Sequence, residues 1–123
     1  MVFANKKTGD DGETAVVAFL IARQFEVLAR NWRHGRDEID IVARHEDLLV
    51  LVEVRTRAVG ARVSGLQSID AKKRASLRRS AHAFMKHALY QYVGVTRLRI
   101  DVASVVFGPY GPEIRYAEGA LSD

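Results

Sequence analysis

Two strand-like segments separated by a gap of a few residues constrain this chain more than any other feature. Glu38-Ile39-Asp40-Ile41-Val42-Ala43 alternates polar and apolar residues, as a half-buried strand requires. Residues 48–57, Leu48-Leu49-Val50-Leu51-Val52-Glu53-Val54-Arg55-Thr56-Arg57, begin as a continuous apolar run and end with charges on alternate positions. So short a gap predicts an antiparallel hairpin. If the hairpin closes on Glu46-Asp47 as a two-residue loop, Asp40 faces Glu53 and Glu38 faces Arg55, with Cβ atoms roughly 4.5–5.5 Å apart. Opposed carboxylates repel, so the pattern calls for an offset: a divalent cation, a shared proton or a neighbouring arginine. Glu46-Asp47 is a poor primed turn, however, and a loop of odd length sends the two carboxylates to opposite faces. Charges at a strand end also suit plain solvation, with Glu38 and Arg55 as an ordinary ion pair.

The remaining segments extend the hairpin into a domain. Residues 1–8 read as a flexible N-terminus and 9–121 as one domain. Thr8 or Asp10 is expected to cap a first helix running to about residue 24. Residues 26–33 read as a strand ended by the His34-Gly35-Arg36 turn, and 58–66, with two glycines and no periodicity, as a mobile loop. Asp70 is expected to cap a long helix reaching about residue 92, its apolar positions Leu77, Ala81, Phe84, Met85, Ala88 and Tyr92 recurring at helical spacing. Residues 96–107 read as a strand, 108–112 as a turn and 113–117 as a last short strand. The order α, β, hairpin, α, β, β predicts an α/β domain on a mixed sheet.

Composition narrows the function classes. The chain has 123 residues, of which 48% are apolar, enough for one sizeable core. With no cysteine, disulfide scaffolds, thiolate zinc sites and cysteine nucleophiles are excluded. Lys and Arg number 19 against 15 Asp and Glu, a net charge of +4 that permits a polyanionic partner without requiring one. The longest apolar run, 15–22, is too short to span a bilayer and follows acidic residues, so no membrane partner and a cytoplasmic location are expected. The four histidines show no paired spacing, no Gly-x-Ser-x-Gly elbow occurs, and no glycine-rich phosphate loop is present. On the second helix Lys72, Arg79 and Lys86 share one stripe flanked by Lys73, Arg74 and Arg78. Such a row suits either a phosphate backbone or solvent.

Four segments together resemble the YraN-like family of small bacterial proteins. They are Gly12-Glu13, Arg30-Asn31-Trp32-Arg33, Glu38 to Ala43, and Val52-Glu53-Val54-Arg55-Thr56-Arg57, joined by Lys73, Arg99-Ile100-Asp101 and a tail from Tyr116 to Leu121. The resemblance runs from about Gly9 to Leu121. It implies a restriction-endonuclease-like fold, a mixed central β-sheet flanked by helices, akin to Holliday-junction resolvases. It also implies a nuclease site of the PD-(D/E)xK kind. Carried over, Asp40 and Glu53 are expected ligands of Mg²⁺ or Mn²⁺, with the Val54 carbonyl a third, Glu13 an outer or water-orienting acid, and Arg55 in the position of the motif lysine. Lys72, Lys73, Arg78, Arg79 and Lys86 are the expected nucleic-acid contacts. Resolvase relatives act as homodimers on two-fold junctions.

Two positions depart from the family pattern: Arg55 stands where it has lysine, and Asp37 where it has glycine. A buried lysine can approach neutrality and help deprotonate water; an arginine cannot. The first expectation is therefore a metal-dependent nuclease acting on DNA, with branched structures the natural substrates. A nucleic-acid-binding module without cleavage comes second, and an interaction domain with a vestigial acidic pair third.

Overall fold

The computed structural model describes residues 6–57 and 69–121. The chain runs α1 (Lys6–Ala22), β1 (Glu26–His34), β2 (Asp37–His45), β3 (Leu48–Arg57), α2 (Ala71–His87), a 3-10 turn (Leu89–Gln91), β4 (Arg97–Gly108) and β5 (Gly111–Ala117). The sheet is five-stranded in the order β1-β2-β3-β4-β5. Only β3 and β4 run parallel; the other neighbours are antiparallel, so the sheet is mixed. A parallel pair needs a crossover, and α2 lies within it. Among the described residues no helix is long and apolar enough to cross a membrane.

Each helix covers one face of the sheet. From α1, Val16 and Leu20, one turn apart, pack on Ile41, Val50, Val52, Ala103 and Val105. Gly12 lets that helix approach β3, since a Cβ there would stand 2.1 Å from Thr56 Oγ1. From α2, Leu77, Ala81 and Phe84 are buried, as their spacing predicts, and so is Ala88 just past its end, whereas Met85 is exposed. Ala81, Phe84 and Ala88 meet Ile39, Val42, Leu49 and Leu51, and Trp32 packs edge-on against Phe84 with ring centres 5.2 Å apart.

Both helices depart from their expected limits, and the expected loop at 58–66 lies outside the described residues. α1 begins at Lys6, ahead of the expected caps Thr8 and Asp10. Nothing at positions 6 and 7 breaks a helix, and lysine is a good helix former, so a cap signal inside the run is overridden. The same helix ends at Ala22, not near 24. Gln24 is left-handed (φ 68°), its N–H donates to Ile21 O at 2.9 Å, and Phe25 N–H donates to Leu20 O at 3.0 Å. This is the Schellman closure, made here without the usual glycine. α2 stops at His87, short of 92. Continued helix would carry residue 92 about 12 Å along the axis from Phe84. The 3-10 turn instead stacks Tyr92 on Phe84 at 6.2 Å.

Two polar anchors hold the strands in register. The β2–β3 loop is the expected two-residue turn, with Glu46 left-handed (φ 55°). It is tied from outside: Asp47 O accepts Thr96 N–H at 2.9 Å and Arg97 N–H at 3.1 Å. The Asp47 carboxylate accepts from Arg97 at 2.8 Å and from the Thr96 hydroxyl, bonds that hold its pKa down to about 2. On β4 the fully buried Asp101 accepts from both Arg99 nitrogens at 2.8 and 2.9 Å, from Tyr116 OH at 2.6 Å and from Gly119 N–H at 2.9 Å. Burial and this bond push the Tyr116 hydroxyl well above its usual range.

Two stability outcomes follow. Asp101→Ala strands several donors and is expected to cost about 3 kcal/mol, read as a lowered urea midpoint. Gln24→Gly relieves the left-handed strain and should gain about 0.5–1 kcal/mol, since the site is exposed and only the backbone is at issue. A lowered melting temperature in Gln24→Gly would contradict the Schellman reading.

Candidate functional site

The site forms where β2 and β3 part. Their pairing runs from His45↔Leu48 to Ile41↔Val52, and Asp40 with Glu53 comes next in that register. The ladder does not continue to them. Instead, Asp40 Oδ2 accepts the Val54 N–H at 2.8 Å. On its other side β2 is paired through Arg30↔Ile41 and Trp32↔Ile39, and Asn31, between those pairs, is left-handed (φ 53°).

The gap opens into a cleft of about 210 Å³ beneath the start of α2, lined by Arg36, Glu38, Asp40, Glu53, Lys73 and Ser80 among others. Asp40 and Glu53 thus share one pocket. Glu53 is met by Lys73, Nζ to Oε1 at 2.8 Å. Burial first, then the charge of Glu53, push the Asp40 carboxyl up to about 7 against the pull of the Val54 N–H; Glu13 and Glu38 add to the rise. Glu38 pairs with Arg33 at 3.5 Å, and its N–H donates to Ser80 Oγ at 3.3 Å.

Glu13 lies on α1 and is not part of the cleft lining. Since α1 begins at Lys6, Glu13 lies within the helix and not at its start. Its carboxyl is also raised, by burial above all, with Arg30 pulling the other way. Arg30 stands 3.6 Å from Glu13 Oε1, an oxygen that is buried with no hydrogen-bond partner. Arg55, also outside the lining, feels burial and Arg57 lowering its pKa, while Glu53 and Asp70 hold it up.

The outer stripe of α2 divides differently. Arg79 Nε donates to Asp37 Oδ1 at 2.9 Å, and Arg78 donates to Leu121 O at 3.4 Å. Lys72 and Lys86 remain exposed, with no ion-pair partner among the described residues. Lys73 leaves the stripe for the cleft. Sequence reasoning missed Arg36, Ser76 and Ser80 as lining residues. The helical spacing of Lys73, Ser76 and Ser80 was the available signal, one small polar face turned toward the sheet.

For a metal, the donors suit a hard cation: two carboxylates opening into a wet cleft, with water and a phosphate able to complete the shell. Burial and the charge of Glu53 raise the Asp40 carboxyl, and among the described residues Glu13 Oε1 is buried without a hydrogen-bond partner. Among the described residues no group of three or more His, Asp or Glu side chains is gathered as a complete metal centre. A second hollow of about 240 Å³, bordered by Arg78, His82, Met85 and Arg99, has no carboxylate in its lining.

Because the folded protein holds the Asp40 proton more tightly than an unfolded carboxyl, which titrates near about 3.9, stability falls as pH rises from about 4 through about 7. Asp40→Asn keeps an oxygen for the Val54 N–H and removes this loss. It is expected to exceed wild type by about 1–2 kcal/mol near pH 8 and to converge with it near pH 4, as read by urea unfolding at both pH values. A pH-independent difference would contradict the assignment.

Comparison with known proteins agrees with the spacing of these segments. Residues 12–105 match the Uncharacterised protein family UPF0102. The UPF0102 protein of Sorangium cellulosum is 46% identical over 108 residues, covering 88% of this chain and 75% of its own. That of Roseiflexus castenholzii is 44% identical over 108 residues, covering 88% and 86%. That of Dictyoglomus turgidum is 32% identical over 112 residues, covering 91% and 92%. With Asp40, Glu53 and the strands that carry them inside the matched region, the chain belongs to the UPF0102 family.

Proposed function

We propose that this chain is a metal-dependent, nuclease-like protein acting on DNA, on a scaffold of the restriction-endonuclease-like kind. One observation carries the reading: two carboxylates from adjacent strands, Asp40 and Glu53, open onto a single cleft that also holds the cations Arg36 and Lys73. A core of acid within a border of cations is what a phosphodiester held against a divalent ion requires.

In this reading Asp40 and Glu53 hold Mg²⁺ or Mn²⁺, with the Val54 carbonyl available beside them. The bound ion would lower the pKa of a water and neutralise charge on the phosphate. Arg36 faces the incoming backbone as a fixed charge. Glu13, held near Asp40 by the close approach of α1 at Gly12, keeps the local field negative. Arg55, from the strand of Glu53, can grip a phosphate with two parallel N–H bonds. It cannot take a proton from water. Branched DNA is the substrate class the resolvase resemblance implies.

A second reading, a nucleic-acid-binding module without cleavage, is favoured by Arg55 at the place of the motif lysine. Both are tested together by incubating wild type, Asp40→Ala and Arg55→Lys with nicked, flapped and four-way DNA in Mg²⁺ or Mn²⁺. Cutting that Asp40→Ala reduces roughly 100-fold or more supports the enzyme. A gain in Arg55→Lys identifies the arginine as the brake. Binding with a steep salt dependence and no cutting by any variant supports the binding module. If neither DNA nor RNA binds at low salt, both readings fail.

A further inference from the structure

One carboxylate of the cleft already carries a cation that can be exchanged. Lys73 Nζ lies 2.8 Å from Glu53 Oε1, the Glu53 side chain only 14% exposed and that of Lys73 43%. The backbone fixes this approach. Asp70 caps α2, its Oδ1 accepting the Lys73 N–H at 2.8 Å, so the turn from which Lys73 reaches down is anchored. The other acids are served differently. Glu13 faces the Arg30 guanidinium at 3.6 Å and Glu38 faces Arg33 at 3.5 Å, while Asp40 takes a backbone N–H. Of these four acids, among the described residues, Glu53 alone is held by an ammonium, a compact charge on a flexible stem that can move without rebuilding a planar fork.

Two positive centres cannot occupy one carboxylate oxygen without repelling. A divalent ion taking Glu53 through the oxygen that Lys73 holds, or through both oxygens, must therefore displace the ammonium. With its carboxylate neutralised, Lys73 finds its next anionic partner in whatever phosphate that ion holds. Resting on the metal-dependent reading above, we propose that Lys73 is a tethered counter-ion: it holds Glu53 until a divalent cation arrives, then passes its ammonium to the phosphate of the bound nucleic acid. Lys73 is thus a positioning residue in the free protein and a phosphate contact in the loaded one. The nucleic-acid role expected of the α2 stripe is moved here to its one inward member.

The test uses the full chain. Mn²⁺ is titrated calorimetrically, without nucleic acid, into wild type, Lys73→Met, Lys73→Gln, Lys73→Arg and Asp40→Ala. Binding of a four-way DNA is followed by anisotropy with and without Ca²⁺. Removing the competing ammonium is expected to tighten Mn²⁺ binding roughly three- to tenfold in Lys73→Met and Lys73→Gln, with Lys73→Arg close to wild type. In Ca²⁺ the same two variants should bind DNA roughly three- to tenfold more weakly than wild type, and without Ca²⁺ nearly equally. Carrying Met and Gln together keeps the result independent of one variant's folding. If wild type binds Mn²⁺ through Asp40 but both neutral variants bind it no more tightly, the counter-ion role is overturned and the metal reading stands. Absence of Asp40-dependent Mn²⁺ binding in every protein overturns both.

Discussion

The β2–β3 ladder stops at Ile41 and Val52, and the cleft exists because it stops there. One further pair would press two carboxylates together at roughly 5 Å, where like charges across strands destabilise a sheet. Parting the strands relieves that repulsion but leaves the Val54 N–H without its ladder acceptor, a loss comparable to a broken hydrogen bond. Asp40 resolves both difficulties with one group, its carboxylate accepting the abandoned N–H. On its other side β2 stays paired with β1 through Arg30↔Ile41 and Trp32↔Ile39, on either side of the left-handed Asn31. The site is therefore a controlled ending of a sheet, placed where strand geometry and charge disagree.

Charge balance then decides which acid is exceptional. Glu13, Glu38 and Glu53 each face a cation, supplied by β1 or α2. Among the described residues Asp40 has only a backbone donor, and burial first, then the charge of Glu53, push its carboxyl up to about 7. The same accounting redraws the basic surface. Arg78 and Arg79 are engaged within the molecule, by Leu121 O and Asp37, so the outer stripe of α2 is less available to a polyanion than its sequence implies. Of the cations that line the cleft, Lys73 is likewise engaged, by Glu53, and Arg36 lies exposed at its border. Asp37 is the partner that takes Arg79 out of the stripe.

Much of the fold was legible because its signals are local and periodic. The hairpin register could be read from the gap between two strand-like segments, and the buried face of α2 from the spacing of Leu77, Ala81, Phe84 and Ala88. What could not be read depends on contacts between distant residues. A Glu46-Asp47 turn looks poor alone and holds because Arg97 and Thr96, some fifty positions on, grip Asp47. The end of α2 is set by Tyr92 finding Phe84, not by a stop signal. Arg99-Ile100-Asp101 and the tail from Tyr116 could be noticed as a pattern; only their convergence on a buried carboxylate explains them. In the site, Asp40 and Glu53 were visible and the divergence between them was not. Helical spacing located Lys73 on α2 but could not tell an inward lysine from an outward one at the edge of a stripe.

Arg55 and Lys73 are best understood as one arrangement. On the strand of Glu53 stands the guanidinium of Arg55, opposed by burial and by Arg57 and steadied by the fields of Glu53 and Asp70. The compact ammonium is found instead on α2, at Glu53. Asp70 connects the two, capping the helix that carries Lys73 while its charge acts on Arg55. An amine on a strand is fixed by the sheet; an amine in the first turn of a helix depends on the cap beneath it. A helix terminus opens more readily than a central strand, because its first amides lack helical partners and rely on side chains such as Asp70. An ammonium carried by the capped end of a helix is therefore held less rigidly at its carboxylate than one carried by a central strand would be.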